Sequence, residues 1–326
     1  MPDEILRFRR VTTGQQDEIA ATVDEVEFPA GELLRARTVW LKDGTPDGYE
    51  LRQHRPVSGE RRRDGYVRLD NEILAGRRLH KVAEWSGYPA EVARLYGDEA
   101  SSAEPYTLYE PYQSEPISAG ASLFEEEVDA FITGLLKGLC WLAGAGIARC
   151  AISPQTVCWD GESVLITDFS RSAPFGTART PITGLSWGWV PLESRPDTSF
   201  GVVGPTDDVW AAARLIYFVR SRGADLDDEG KLAQTGLAQM FNGWLERVFD
   251  HPDARPTASD LLQHGLGRSH VLPSLPDSAK EVIEGRKAFL RARNRKHPGA
   301  PVPEEFWDDL AWTTGKREPR GPAGGS

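Results

Sequence analysis

Two hydrophobic periods follow one another along this chain with little mixing, and that segregation restricts the fold more than any other feature. Leu33 to Leu41 is rich in apolar and β-prone residues, and Tyr49 to His54 alternates in a similar way. Between them Asp43-Gly44-Thr45-Pro46-Asp47-Gly48 is dense in turn formers, which predicts a β-hairpin. Residues 66–82 change to a helical period, with Leu69, Ile73, Leu74 and Val82 near one face. Val92 to Tyr96 and Tyr106 to Tyr109 then read as short strands around the polar loop Asp98–Glu104. Beyond them the helical period dominates. Phe124 to Ala143 carries Val128, Phe131, Ile132, Leu135, Leu136, Leu139 and Leu142 as one wide apolar face. Val164-Leu-Ile-Thr is a short strand, Val209 to Arg220 is apolar enough to be buried on all sides, and Thr257 to Gln263 starts another helix. Strands first and helices after specify an α+β class rather than an alternating α/β sheet.

Composition narrows the function classes. A length of 326 residues with 40% hydrophobic content is enough for a large core or a pair of domains. The net charge of -11, from 49 acidic and 38 basic side chains, argues against nucleic acid as a partner, because that affinity comes mainly from neutralising phosphates. Arg61-Arg62-Arg63 reads as a solvated loop or a contact for an acidic partner. Cys140, Cys150 and Cys158 have no CxxC spacing, which argues against a zinc site or a disulfide framework. Charges interrupt the N-terminus where a signal peptide needs an apolar core, and no apolar run approaches the ~20 residues of a membrane span. A soluble, cytoplasmic protein with no membrane partner is expected.

Residues 1–25 are polar and weakly patterned, and read as a lead-in. After residue 270 the composition shifts again. Ser278-Ala-Lys-Glu281 has a capping-box pattern ahead of a basic helix running to about Asn294. Prolines 298, 301 and 303 end it, and an acidic-aromatic segment containing Phe306, Trp307 and Trp312 follows. That segment cannot bury its own aromatics, so they either fold back onto the body of the chain or anchor a protein partner.

The chemistry-bearing stretch is Gly146-Ile-Ala-Arg-Cys-Ala-Ile-Ser-Pro-Gln-Thr-Val157, followed by Val164-Leu-Ile-Thr-Asp-Phe-Ser170. Here the chain resembles the eukaryotic-type Ser/Thr protein kinases, which have a long apolar helix, a catalytic HRD loop, a short strand and DFG in that order. HRD falls on Arg149-Cys150-Ala151, the loop asparagine on Thr156, and DFG on Asp168-Phe169-Ser170. In the family the HRD aspartate accepts or orients the substrate hydroxyl proton, and the asparagine holds magnesium. Ala151 has neither charge nor acceptor, Thr156 implies a weak second metal position, and Asp168 could still hold one cation or serve only as a loop residue. Cys150 suggests a thiol nucleophile, but no histidine lies beside it and a packed thiol is the better reading.

Further positions match the same family. Glu193 lies at the APE glutamate, Arg255 at its buried partner, and Asp208 at the aspartate that ties down the catalytic loop. Arg52, in Tyr49-Glu-Leu-Arg52, takes the place of the phosphate-pairing lysine, and Glu72 follows roughly 20 residues later where the family's helix glutamate stands. Lys42 is a rival for that slot but lies farther from Glu72. Arginine is not equivalent to lysine there, since its planar fork is bulkier and is not a point charge. No GxGxxG precedes the hairpin, and the nearest candidate, Pro29-Ala-Gly31-Glu32, lacks the repeated glycines. Tyr109 takes the gatekeeper position, and Glu110 and Tyr112 would offer hinge backbone groups to an adenine.

The resemblance implies a two-lobed kinase-like fold. Its β-rich N-lobe would span residues 26–112 and its mainly helical C-lobe residues 113–270, with residues 271–326 as an extension. It implies a pseudokinase, a scaffold or allosteric regulator that binds another protein, with ATP and Mg2+ as cofactors only if the altered cleft still takes them. The alternative is an atypical phosphotransferase or nucleotidyltransferase with a relocated base. Oligomeric state is left open.

Overall fold

The computed structural model describes residues 4–26, 34–41, 49–54, 60–101, 105–110, 112, 115–117, 123, 125–182, 187–195, 201–220, 247–249 and 251–263. In chain order come strands β1 (Glu4–Arg10), β2 (Gln16–Val26), β3 (Leu34–Leu41) and β4 (Tyr49–His54), helix α1 (Glu60–Ser86), then β5 (Leu95–Glu99) and β6 (Tyr106–Tyr109). β7 (Glu115–Pro116), α2 (Glu125–Gly144), β8 (Ile147–Ala148), β9 (Val157–Trp159), β10 (Val164–Ile166), β11 (Ala173–Pro174), α3 (Asp207–Arg220) and α4 (Ala258–Leu261) follow. The fold is mixed α+β. Among the described residues no helix is long and apolar enough to cross a membrane.

Residues 4–26 are not a lead-in. They form the antiparallel hairpin β1–β2, turned at Gly14, whose φ of 68° is left-handed and sterically easy only for glycine. Leu6 and Phe8 are buried while Arg7 and Arg9 are exposed, the alternation of a half-buried strand. The hairpin belongs to the sheet itself: the order β1-β2-β3-β4-β6-β5 returns to β1 and closes a barrel. A second difference lies in α1, which begins at Glu60, so Arg61-Arg62-Arg63 is helical rather than a loop.

Side-chain alternation gives the barrel two faces. Leu51 and Leu108 stand opposite each other across β4 and β6, and pack with Leu6, Phe8 and Tyr106 as an inner cluster. Arg52 and Thr107 are the next opposed pair and point the other way, toward α1. Leu95 and Tyr109 share that outer face and join a larger core with α1, α2 and α3. In α3 all but Tyr217 of residues 207–219 are buried. The segment after α1 is stitched to β10: Ala93 N–H donates to Ile166 O at 2.9 Å, and Ile166 N–H to Glu91 O at 2.8 Å.

The approach of α1 to the sheet depends on Gly76. A Cβ there would stand 2.4 Å from Leu95 Cδ2 and 2.7 Å from its Cβ. Glycine to alanine inside a helix normally gains about 1 kcal/mol of helix propensity. In Gly76→Ala the overlap outweighs that gain, and chemical denaturation is expected to show a net loss of about 1–2 kcal/mol, in the range of overpacked cores.

Candidate functional site

The strand face opposite α1 builds the first part of the site. Arg52 is 3% exposed and Glu72 is fully buried, with Arg52 Nη1 3.6 Å from Glu72 Oε1. Thr107 Oγ1 donates to the other Glu72 oxygen at 2.7 Å. Arg52 Nε bonds Glu50 on the same strand, its Nη2 donates to Tyr112 Oη at 3.1 Å, and its Cζ lies 4.7 Å from the Tyr109 ring centroid. Burial disfavours the Arg52 charge, but Glu50, Tyr112 and Glu72 outweigh it and hold the guanidinium firmly protonated. Tyr109 is fully buried, and its hydroxyl has no hydrogen-bond partner among the described residues. Lys42, the rival for this slot, lies outside the described residues, as does Pro29-Ala-Gly31-Glu32.

The second part comes from the loop after β8. Arg149 and Cys150 N–H donate to the two Asp208 oxygens at 2.6 and 2.7 Å. This clamp holds Cys150 at a φ of 62°, unusual for a residue with a Cβ. Burial and the neighbouring Asp207 charge push the Asp208 carboxyl up to about 6 despite those donors. Burial also raises the Cys150 thiol, so it carries no thiolate character. Ala151 is buried and brings no functional group to the site. Thr156 Oγ1 donates to Ala151 O at 3.0 Å and accepts from Ser153 N–H at 3.0 Å, so its hydroxyl closes its own loop.

Asp168, at a φ of 55°, ends the strand–loop unit. Its side chain is 30% exposed, and Oδ2 lies 3.3 Å from Nη2 of the fully buried Arg149. Its Oδ1 accepts from the Ser170 hydroxyl and, at 3.2 Å, from the Ser170 N–H. Burial alone would raise this carboxyl; the Arg149 and Arg52 charges and the Ser170 donors bring it down to about 2. Helix α1 is tied to the same turn, since Asn71 Nδ2 donates to Ser170 O at 3.0 Å and Ser172 Oγ to Asn71 O at 3.2 Å.

Glu193 and Arg255, 62 positions apart, meet as a buried two-pronged pair, with Nη2 to Oε2 at 3.0 Å. Three contacts escaped sequence reasoning. Arg179 pairs with the buried Asp207, Arg149 with Asp168, and Arg78 Nη1 reaches Gly146 O at 3.3 Å. Their only sequence signal was an arginine in an otherwise apolar or loop context, which names no partner. Phe306, Trp307 and Trp312 lie outside the described residues.

The side chains fit poorly with an Mg–ATP cofactor. Thr156 turns its oxygen inward and both Asp168 oxygens already have protein partners. Of the hinge backbone groups that Glu110 would offer an adenine, the N–H is engaged by Arg94 O at 2.9 Å. The Tyr112 side chain points back to β4.

No protein-family model matches the chain. It is similar to the striated muscle preferentially expressed protein kinase of Danio rerio, 24% identical over 190 residues that cover 53% of this chain. The chain spans 6% of that relative's length.

Two outcomes test the geometry. Glu193→Gln leaves the Arg255 charge buried without its counter-ion, and equilibrium unfolding should show a loss of about 3–5 kcal/mol. Asp168 has a folded-state pKa below its unfolded value. Its contribution is therefore complete above pH ~4 and lost as pH falls toward ~2, amounting to about 1–2 kcal/mol. Asp168→Asn should flatten stability against pH in that window, as followed by circular dichroism.

Proposed function

We propose that this chain has the two-lobed protein-kinase fold and works as a pseudokinase, a module that binds another protein and regulates or assembles it without transferring phosphate. The observation that carries this reading is the catalytic-loop position at Ala151, a buried methyl group where the family's proton acceptor stands. The residues around it agree. The Thr156 hydroxyl is engaged within its own loop, and the Asp168 carboxylate is compensated by Arg149 and Ser170.

The likeness to a protein kinase, though modest, supports the fold half of the proposal. So does the meeting in space of positions that the family motifs pair: Arg52 with Glu72, Glu193 with Arg255, and Asp208 with the backbone of Arg149 and Cys150. Glu193, Asp208 and Arg255 keep scaffold contacts, whereas the altered positions, Arg52 among them, concern base, metal and phosphate. In this reading Phe306, Trp307 and Trp312 are the anchors offered to the protein partner.

Incubating the purified full chain with γ-labelled ATP, a generic protein acceptor and either Mg2+ or Mn2+ should give no transferred label. Autophosphorylation that Asp168→Ala abolishes would show an active enzyme with a relocated base and overturn the proposal.

A further inference from the structure

The hinge-side residue Tyr112 has a place of its own in the cleft. Its hydroxyl accepts from Arg52 Nη2 at 3.1 Å and bonds Glu50 on β4. One side chain from the segment after β6 therefore reaches the buried cation of β4. The residue is half-buried, and this burial, with the Glu50 charge, raises its pKa despite the Arg52 cation. Beneath it Arg52 is held against the buried face of Tyr109.

Charge in the same place is internally balanced. The cations Arg52 and Arg149 are paired with the carboxylates Glu50, Glu72 and Asp168. Among the described residues the group carries one more negative than positive charge, and both of its cations are already committed to carboxylates. To pair with phosphate, Arg52 would have to leave a buried carboxylate, a costly exchange.

We propose that Tyr112 is a built-in occupant of the nucleoside position: its ring lies across the cleft toward Arg52 of β4, and the resting protein excludes adenine nucleosides and nucleotides. This inference rests on the kinase-fold reading and adds to it a residue, a place and a ligand class. Removing the ring opens room for an uncharged nucleoside more readily than for ATP, because the carboxylate excess remains.

The test uses the full chain, with adenosine and ATP as probes, by calorimetric titration and by thermal shift, which must rise for any ligand that binds the native state alone. The wild type is expected to show no response to either probe at millimolar concentration. Tyr112→Ala is expected to bind adenosine at least about tenfold more tightly than wild type, a change of about 1.4 kcal/mol. Tyr112→Leu serves in its place if the alanine variant proves too unstable to purify. Submillimolar binding of adenosine or ATP by the wild type overturns the proposal, and so does a folded Tyr112 variant that still binds nothing. Wild-type binding without label transfer overturns the occlusion alone and leaves the pseudokinase reading standing. Label transfer from ATP overturns that reading as well.

Discussion

A guanidinium buried at the junction of barrel and helix is the constraint around which this molecule is arranged. An isolated charge in such a place would cost several kcal/mol, so it persists only if carboxylates and lone pairs surround it. Arg52 obtains them from three directions: Glu50 along its own strand, Glu72 from α1 and Tyr112 from beyond β6. Each contact fixes a different element. Glu72 ties α1 to the sheet through this cation, and the same helix makes the 71–170 contact to the Asp168 turn.

The lower half is organised by a second set of charges with a different task. Cys150 and Asp168 both take left-handed backbone conformations, which cost about 1–2 kcal/mol for residues with a Cβ. Asp208 holds the first through two backbone N–H donors, and Asp168 accepts from Ser170 across its own turn. Arg149 links the two, because its backbone N–H meets Asp208 while its guanidinium meets Asp168 and donates to Thr167 O at 3.0 Å. The loop around Ala151 is therefore held without help from any side-chain group at that position. Loop shape and loop chemistry depend on separate residues here, which lets one be lost while the other is kept.

Much of this was readable before any coordinates. The strand and helix periods locate β3, β4, β6, α2 and α3 within a residue or two, because one-sided burial leaves a periodic trace. The buried pairs were legible at Glu193–Arg255 and Arg52–Glu72 through motif resemblance, and Asp208 likewise. The hairpin β1–β2 was not, since Ile5, Leu6 and Phe8 stand among charges and the burial of Leu6 and Phe8 depends on closure against a strand some ninety residues away. The inward turn of Thr156 and the return of the Tyr112 side chain to Arg52 were also illegible. Sequence gives a residue's place on the backbone but not the direction of its side chain, and both polar tips are directed by partners distant in sequence or bound within a loop.

Closure of the barrel has a consequence for how this molecule can meet others. An open sheet presents a row of unpaired N–H and C=O groups that another chain can extend by adding a strand. With β1 returned to β5, the six described strands close on one another and the row is interrupted at this seam. Recognition at this end must then be read through side chains and loops, by shape and charge, and backbone-templated pairing between copies is suppressed by the same seam. That seam is narrow, with Arg9 opposite Asp98 and Arg10 opposite Gly97. Two rungs separate a sheet that refuses strands from one that would accept them.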